Sequence, residues 1–380
     1  MIYSTRLNNL PTYLFAKLED KMVEMRKRGV DIINLGIGDP DLQPPDFFKE
    51  AIKRHIDDAD AHFYSTSRGN AQVRSGIADW FKGRFGVELD PETEVAVIIG
   101  AKEGLANFSR AIVNPGDKVG VPEPGYPVYG NSASIMNDGV VVRVPLLPEN
   151  GFLPVLDDFE GCRLIFVNYP NNPTGAVAGE DFYRKLGKWA EAHPETVVVH
   201  DTAYSEMTYS DYTAPSIMQF TREAIEFHSL SKTFNVTGYR IGFAVGKKEY
   251  IDGLVKVKSQ LDSGAPLFLQ RAAVDALKTY NGAVPPKEIM GFRDIYSRRR
   301  KVVEKGLAKL GYNVFTSPAT FYVWFETGGD DMEFLEKTLS VGVVITPGAG
   351  FGEAGMGYAR IAVTVPEERL LEAIERLGNI

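Results

Sequence analysis

Seven short runs rich in apolar and β-branched residues recur between residues 94 and 245, and they restrict this chain to few architectures. They are Glu94–Ile99, Lys118–Val121, Val140–Val144, Arg163–Val167, Thr196–His200, Ile225–Leu230 and Ile241–Val245. Their apolar character is continuous rather than alternating, which marks strands covered on both faces. Helix-periodic stretches such as Gly179–Ala192 fit between most of them. This alternation predicts an α/β large domain, with a mostly parallel seven-stranded sheet, right-handed crossovers and helices over it. One connection departs from the rule. Ser231–Tyr239 is short for a parallel crossover, so Ile241–Val245 is expected to run antiparallel.

After about Tyr280 the pattern changes. A long charged helix, Lys287–Lys309, precedes three strand-like runs, Ala319–Glu326, Val341–Thr346 and Tyr358–Val365, and a final helix, Pro366–Leu377. This predicts a smaller α+β domain, against which the helix Pro11–Arg28 packs. The expected division is an N-terminal segment 1–35, a large domain 36–280 and a small domain 281–380. A chain of 380 residues has room for roughly two domains of about 100–200 residues.

The net charge of -8, with lysines and arginines scattered along the chain, argues against nucleic acid, whose phosphates need a concentrated basic surface. One cysteine, Cys162, excludes an internal disulfide and suits a reducing compartment. Beside the run Arg163–Val167 it reads as a small buried side chain. Met1–Asn9 carries no apolar core of signal-peptide length, and no run reaches the length of a membrane span. The five histidines show no metal-ligand spacing, so no metal is expected. A cytoplasmic protein with no membrane partner is the expectation.

Ligands of open α/β sheets bind outside the carboxyl ends of the strands. Several candidate residues fall at such ends. Ala101 and Lys102, after Gly100, end one strand and open a helix, whose free amides can bind phosphate. Ser229, Ser231 and Arg240 can add hydroxyls and a guanidinium to the same anion. Lys232 lies between two hydroxyl residues in Ser229–Arg240, a setting that suits an amine holding an aldehyde cofactor. Asp201 ends Thr196–His200; it is either a turn or cap carboxylate or a partner for a protonated ring nitrogen. Asn172, in Asn168–Gly175, is either part of a tight turn or a donor to a ring oxygen, a role Tyr204 can share. Tyr126 either stacks on a ring or packs as an ordinary aromatic. Arg360 alternates with apolar neighbours on a predicted strand; it is a solvated edge residue or a bidentate carboxylate grip. The glycines of Pro347–Gly352 are no dinucleotide fingerprint, because no βαβ unit follows them. They suit a loop near the substrate.

In order and spacing, Gly36–Asp41, Asn168–Gly175, His200–Tyr204 and Ser229–Arg240 resemble the fold-type I, class I/II pyridoxal-phosphate aminotransferases, over nearly the whole chain. The resemblance implies the aspartate aminotransferase-like fold and pyridoxal 5'-phosphate as cofactor. It implies that Lys232 holds the cofactor and moves the α-proton, that Asp201, Asn172 and Tyr204 contact the ring, and that Ala101, Lys102, Ser229, Ser231 and Arg240 hold the phosphate. Tyr64, in Phe63–Gly69, looks like the tyrosine that reaches the partner subunit's phosphate, which implies a homodimer with shared sites.

Within the family, Pro11–Phe15, Glu226–Asn235 and Lys258–Gly264 are most similar to the bacterial LL-diaminopimelate aminotransferases. That likeness places Tyr13 and Gly38 in the substrate site with Asn172 and Arg360, and implies transfer between an amino acid, first LL-diaminopimelate, and 2-oxoglutarate. Tyr13, Lys102 and Glu103 are then candidates for the distal end of the donor. The alternatives are a broader alanine, aspartate or aromatic aminotransferase, a C–S lyase or decarboxylase on the same fold, and a non-catalytic cofactor-binding regulator.

Overall fold

The computed structural model describes residues 2–11 and 14–380, without the side chains of 14–17. Its strands are β1 (Ile33–Asn34), β2 (Val95–Ile98), β3 (Lys118–Glu123), β4 (Val140–Pro145), β5 (Leu164–Asn168), β6 (Val197–Asp201), β7 (Ala224–Ser229), β8 (Gly242–Gly246), β9 (Val314–Phe315), β10 (Tyr322–Glu326), β11 (Val343–Val344), β12 (Thr346–Pro347) and β13 (Tyr358–Ala362). Seven of them form one sheet in the order β2-β8-β7-β6-β5-β3-β4. β8 runs antiparallel to both its neighbours, β2 and β7, and the remaining pairings are parallel. The reversal follows from chain length. Residues 230–241 form only two short helical turns, too little to carry the chain back across the sheet for a parallel strand.

The central strands β5, β6 and β7 are buried along their whole length, as continuous apolar runs require. Side chains alternate between faces along a strand. Val198 and Ala224 therefore join Ile77, Phe81 and Leu186 in one core, while Val199, Ile225 and Phe227 join Leu105, Phe108 and Ile251 in another. Apart from Ala224, each such side chain contributes about 1.5–3 kcal/mol on full burial. The covering helices are stopped by local chemistry. Ala71–Phe85 starts where the Asn70 side chain accepts from the amides of Gln72 and Val73, and ends at Gly86 with φ 70°, a conformation that suits glycine.

A third core unites the other sheets. β12, β13, β10 and β9 form an antiparallel sheet, and β1 pairs parallel with β11. The run Val341–Thr346 thus divides between two sheets, and β9 is a strand that its two residues did not disclose in sequence. Leu18 and Met22, one helical turn apart on Leu14–Lys27, pack into this core with Leu35, Phe321 and Leu370. Tyr204, Met207 and Tyr209, from the segment after β6, belong to it too. The chain leaving the large sheet therefore clamps the small sheet against its carboxyl edge. No helix among the described residues is long and apolar enough to cross a membrane.

Candidate active site

At that edge lies a cavity of about 340 Å³. Strand direction explains which residues reach it. Ala101 and Lys102 follow β2, Tyr126 follows β3, Asn168 ends β5, Asp201 ends β6 and Ser229 ends β7, and all line the cavity. β8 runs the other way, so its entry point, with Arg240, comes to the same edge. Lys232 and Ser231 sit on the short helix that begins after β7. The small sheet contributes Tyr322 and Arg360, and the segment after β1 contributes Ile37 and Gly38.

Asp201 is buried. Its Oδ2 accepts from the Tyr129 hydroxyl at 2.8 Å and its Oδ1 from the Ala203 amide at 3.1 Å. Burial pushes its pKa up, while these bonds and the His200 and His228 charges pull against that rise. A carboxylate held in this way is stabilised by any cation brought to its open side. Lys232 is half-buried, and its Nζ donates to the Gly38 carbonyl at 2.6 Å. Burial, aided by the positive charges of Arg360 and Arg240, lowers the amine pKa to about 8, so about a tenth is unprotonated at pH 7, far more than for an ordinary lysine. Gly38 has no room for a side chain, since a Cβ there would overlap the Tyr322 ring.

Arg360 is buried rather than solvated. Its Nη1 donates to Asn172 Oδ1 at 2.7 Å and its Nη2 to the Gly36 carbonyl at 2.6 Å. The guanidinium lies 4.1 Å from the Tyr322 ring centre and 4.8 Å from that of Phe351. The Tyr204 and Tyr322 hydroxyls are 2.8 Å apart, and burial raises the Tyr204 pKa well above its ordinary value. Gly100, at φ 97°, leaves the Arg240 guanidinium free to approach the helix N-terminus at Ala101; a Cβ would overlap it.

The sequence profile of the aminotransferase class I and II family matches residues 30–377. The chain belongs to that family. This aminotransferase is 46% identical to a protein of Aquifex aeolicus named LL-diaminopimelate aminotransferase, with 100% of this chain and 99% of the relative covered. A protein of the same name from Oleidesulfovibrio alaskensis is 47% identical, with 99% and 98% covered. Among solved structures, a mutant aspartate aminotransferase from Thermus thermophilus superposes with a TM-score of 0.93 at 30% identity, covering 100% of this chain and 99% of that one. The aminotransferase thus has the aspartate aminotransferase-like fold, and it is a pyridoxal-phosphate-dependent transaminase.

Its cavity suits that cofactor. A helix N-terminus, Ser229, Ser231 and Arg240 offer donors to a phosphate at one end. The Asp201 carboxylate faces the cavity from β6, and the Lys232 amine enters from the segment after β7.

The sequence-predicted residues separate into three groups. Gly38, Ala101, Lys102, Tyr126, Asn172, Asp201, Tyr204, Ser229, Ser231, Lys232, Arg240 and Arg360 all line the cavity. Tyr64 does not; it is 89% exposed at the protein surface. Tyr13 lies outside the described residues. Glu103, a candidate for the distal end of the substrate, is committed elsewhere. Its Oε2 accepts from the Ile99 amide at 2.9 Å, and its Oε1 from Asn107 at 2.6 Å and buried Lys258 at 3.1 Å. Sequence reasoning missed Tyr129, Asn168 and Tyr322. Asn168 carried a signal, because it opens the quoted Asn168–Gly175 segment and pairs with Asp201 across β5 and β6.

Proposed function

We propose that this aminotransferase moves the amino group of LL-diaminopimelate to 2-oxoglutarate. The observation that supports it most is a cavity holding a low-pKa lysine, a buried carboxylate and a buried arginine, in a chain 46% identical from end to end to a relative named for that substrate. When bound, pyridoxal phosphate supplies a carbonyl for covalent capture of amines and a ring that accepts negative charge from the α-carbon. The chain's own groups do the rest. Arg360 and Asn172 orient the α-carboxylate by a bidentate, charge-assisted grip. Lys232 takes the α-proton and returns it. Asp201 would hold a proton on the ring nitrogen by charge pairing, and Asn172 and Tyr204 would donate to the ring oxygen. Tyr126 would stack on the ring. Ala101, Lys102, Ser229, Ser231 and Arg240 anchor the phosphate. Tyr13 and Gly38 line the substrate side.

The test of substrate is kcat/KM for LL-diaminopimelate against alanine, aspartate, glutamate and phenylalanine, each with 2-oxoglutarate. A site that binds a distal polar group rejects analogues lacking it. LL-diaminopimelate should be the best donor by at least about tenfold, roughly 1.4 kcal/mol. Parity with aspartate would instead favour a broader enzyme, in line with the likeness to an aspartate aminotransferase. Supplying the donor without keto acid separates a lyase, which keeps releasing keto acid, from a transaminase, which stops after one turnover.

We also propose a cytoplasmic homodimer in which Tyr64 completes the partner's phosphate site. Its support is the exposure of Phe63, Tyr64 and Leu261 on adjoining loops. Those loops pack closely, since Ser67 donates to the Asp262 carbonyl and a Cβ on Gly264 would crowd the Thr66 carbonyl. Mixing Lys232→Ala with Tyr64→Ala subunits should restore activity, because one site of each heterodimer is then native. Verified subunit exchange without recovery would refute shared sites.

A further inference from the structure

Behind the cavity, on the opposite face of the sheet, lies a buried polar cluster that the proposed chemistry leaves unused. Glu226, on β7, is completely buried. Its carboxylate accepts from His200 Nδ1 at 2.9 Å, the Ser216 hydroxyl at 2.9 Å, the Ile217 amide at 2.9 Å and His228 Nε2 at 2.5 Å. The other nitrogen of His200 meets the Tyr183 hydroxyl at 3.0 Å, and His228 lies flat against Phe243 at 4.7 Å. The placement is set by register. His200 on β6 pairs with Glu226 on β7, and alternation turns their neighbours Asp201 and Phe227 to the other face. His200 and His228 therefore each immediately precede a cavity residue, Asp201 and Ser229.

A carboxylate this deep persists as an anion only with compensating charge and a full set of donors. Glu226 has both: burial pushes its pKa up, yet the two imidazoles more than reverse that and hold it low. The same two imidazoles help lower the pKa of Asp201. The other titratable groups around the cluster are Tyr183, from Glu180–Ala192, and Glu206, which shares a small cavity with His228 and is itself neutralised by Arg84 and Arg293. Neither supplies positive charge to Asp201.

We propose that Glu226 is a positioning residue: through its bonds to His200 and His228 it fixes the carboxyl ends of β6 and β7 and so holds Asp201 in place. The inference rests on Asp201 facing the ring nitrogen. It goes beyond that reading by making the placement of Asp201 depend on a group on the far side of the sheet.

The test uses the holoenzyme and two readouts, pyridoxal phosphate affinity and the pH midpoint of the bound cofactor's absorbance change. Glu226→Gln keeps the shape but puts an amide N–H among four converging donors, so a bond is lost, Asp201 is held less firmly and a proton on the ring nitrogen would be given up more readily. Less positive charge near the ring leaves the proton on the cofactor-linked Lys232 nitrogen better held, so the midpoint should rise by about half a pH unit or more. Affinity should fall by about tenfold as the strand ends loosen. Ser216→Ala removes one neutral donor and leaves both histidine bonds to Glu226, so its midpoint should stay at the wild-type value. Should Glu226→Gln fail to fold, His200→Phe, which keeps a flat ring and removes the bond to Glu226, should raise the midpoint in the same direction. A wild-type midpoint in the folded variants overturns the proposal, whatever happens to their melting temperatures. Asp201→Asn is the control. If it too leaves the midpoint unchanged, the reading of Asp201 fails and takes this inference with it; if it alone shifts the midpoint, only the inference fails.

Discussion

Lys232→Ala is expected to lose transamination by at least about 10⁴-fold, roughly 5 kcal/mol of transition-state stabilisation. No second amine in the cavity can replace Lys232 without rebuilding it. Lys102, the other lysine in the lining, sits at the N-terminus of the helix Ala101–Ile112, which follows β2, two strands from β7 in the sheet. The Nζ of Lys232 is instead held by the Gly38 carbonyl, between the N-terminal segment and the sheet. Borohydride reduction of the wild type should fix the cofactor at Lys232, and recovery of the adduct on Lys102 would refute the assignment. The pH dependence follows from its environment. An amine captures an aldehyde only when unprotonated, and the Lys232 pKa is depressed from the ordinary value of 10.5 to about 8. Cofactor capture by the apoprotein should therefore accelerate as pH rises through about 8 and level off above it. A rate still climbing steadily toward pH 10 would show an unperturbed lysine.

The large sheet was legible because its strands are buried on both faces, so each one reads as an apolar run without help from its neighbours. The reversal of β8 was legible too, as arithmetic on a short connection. The small domain was less so. β9 is two residues long, and Val343–Val344 and Thr346–Pro347 belong to different sheets although one apolar run contains both. The cavity was legible where its residues sit at strand ends, as with Asp201 and Ser229. It was not legible where a contact joins distant segments. Tyr129 reaches Asp201 across 72 residues, and Tyr322 reaches Tyr204 across 118; no period or motif records such pairs. Arg360 allowed two readings in sequence, and only burial against Tyr322 and Phe351 removes the solvated one. Glu103 misled for the same reason. Its partner Lys258 is 155 residues away, and that pairing draws the carboxylate out of the cavity lining.

Asp201→Asn should bind the cofactor and yet slow removal of the α-proton by about a thousandfold, roughly 4 kcal/mol. The two effects separate because the groups lie on different strands. The phosphate donors come from the starts of the helices after β2 and β7 and from the entry to β8, and the lysine from beyond β7, whereas Asp201 stands alone at the end of β6. Asparagine is close to isosteric. Its carbonyl oxygen can still accept from the Ala203 amide, which now meets Oδ1 at 3.1 Å, so the segment leading to Tyr204 should keep its path. What disappears is the negative charge. Burial already pushes the Asp201 pKa up, so the site holds this charge at a cost that a cation on its open side further offsets. The protonated ring nitrogen is that cation, and the proton matters most when the α-carbon is losing its own. A neutral amide gives up the pairing at that moment while leaving ground-state binding largely intact. The measurement is a single half-reaction by stopped flow, with amino donor and no keto acid, using donor deuterated at the α-carbon to isolate the proton-transfer step. A slow half-reaction with an enlarged isotope effect is the expected outcome. A near-normal rate, or loss of cofactor at unchanged rate per bound site, would mean that Asp201 serves the fold of the β6 end rather than the chemistry.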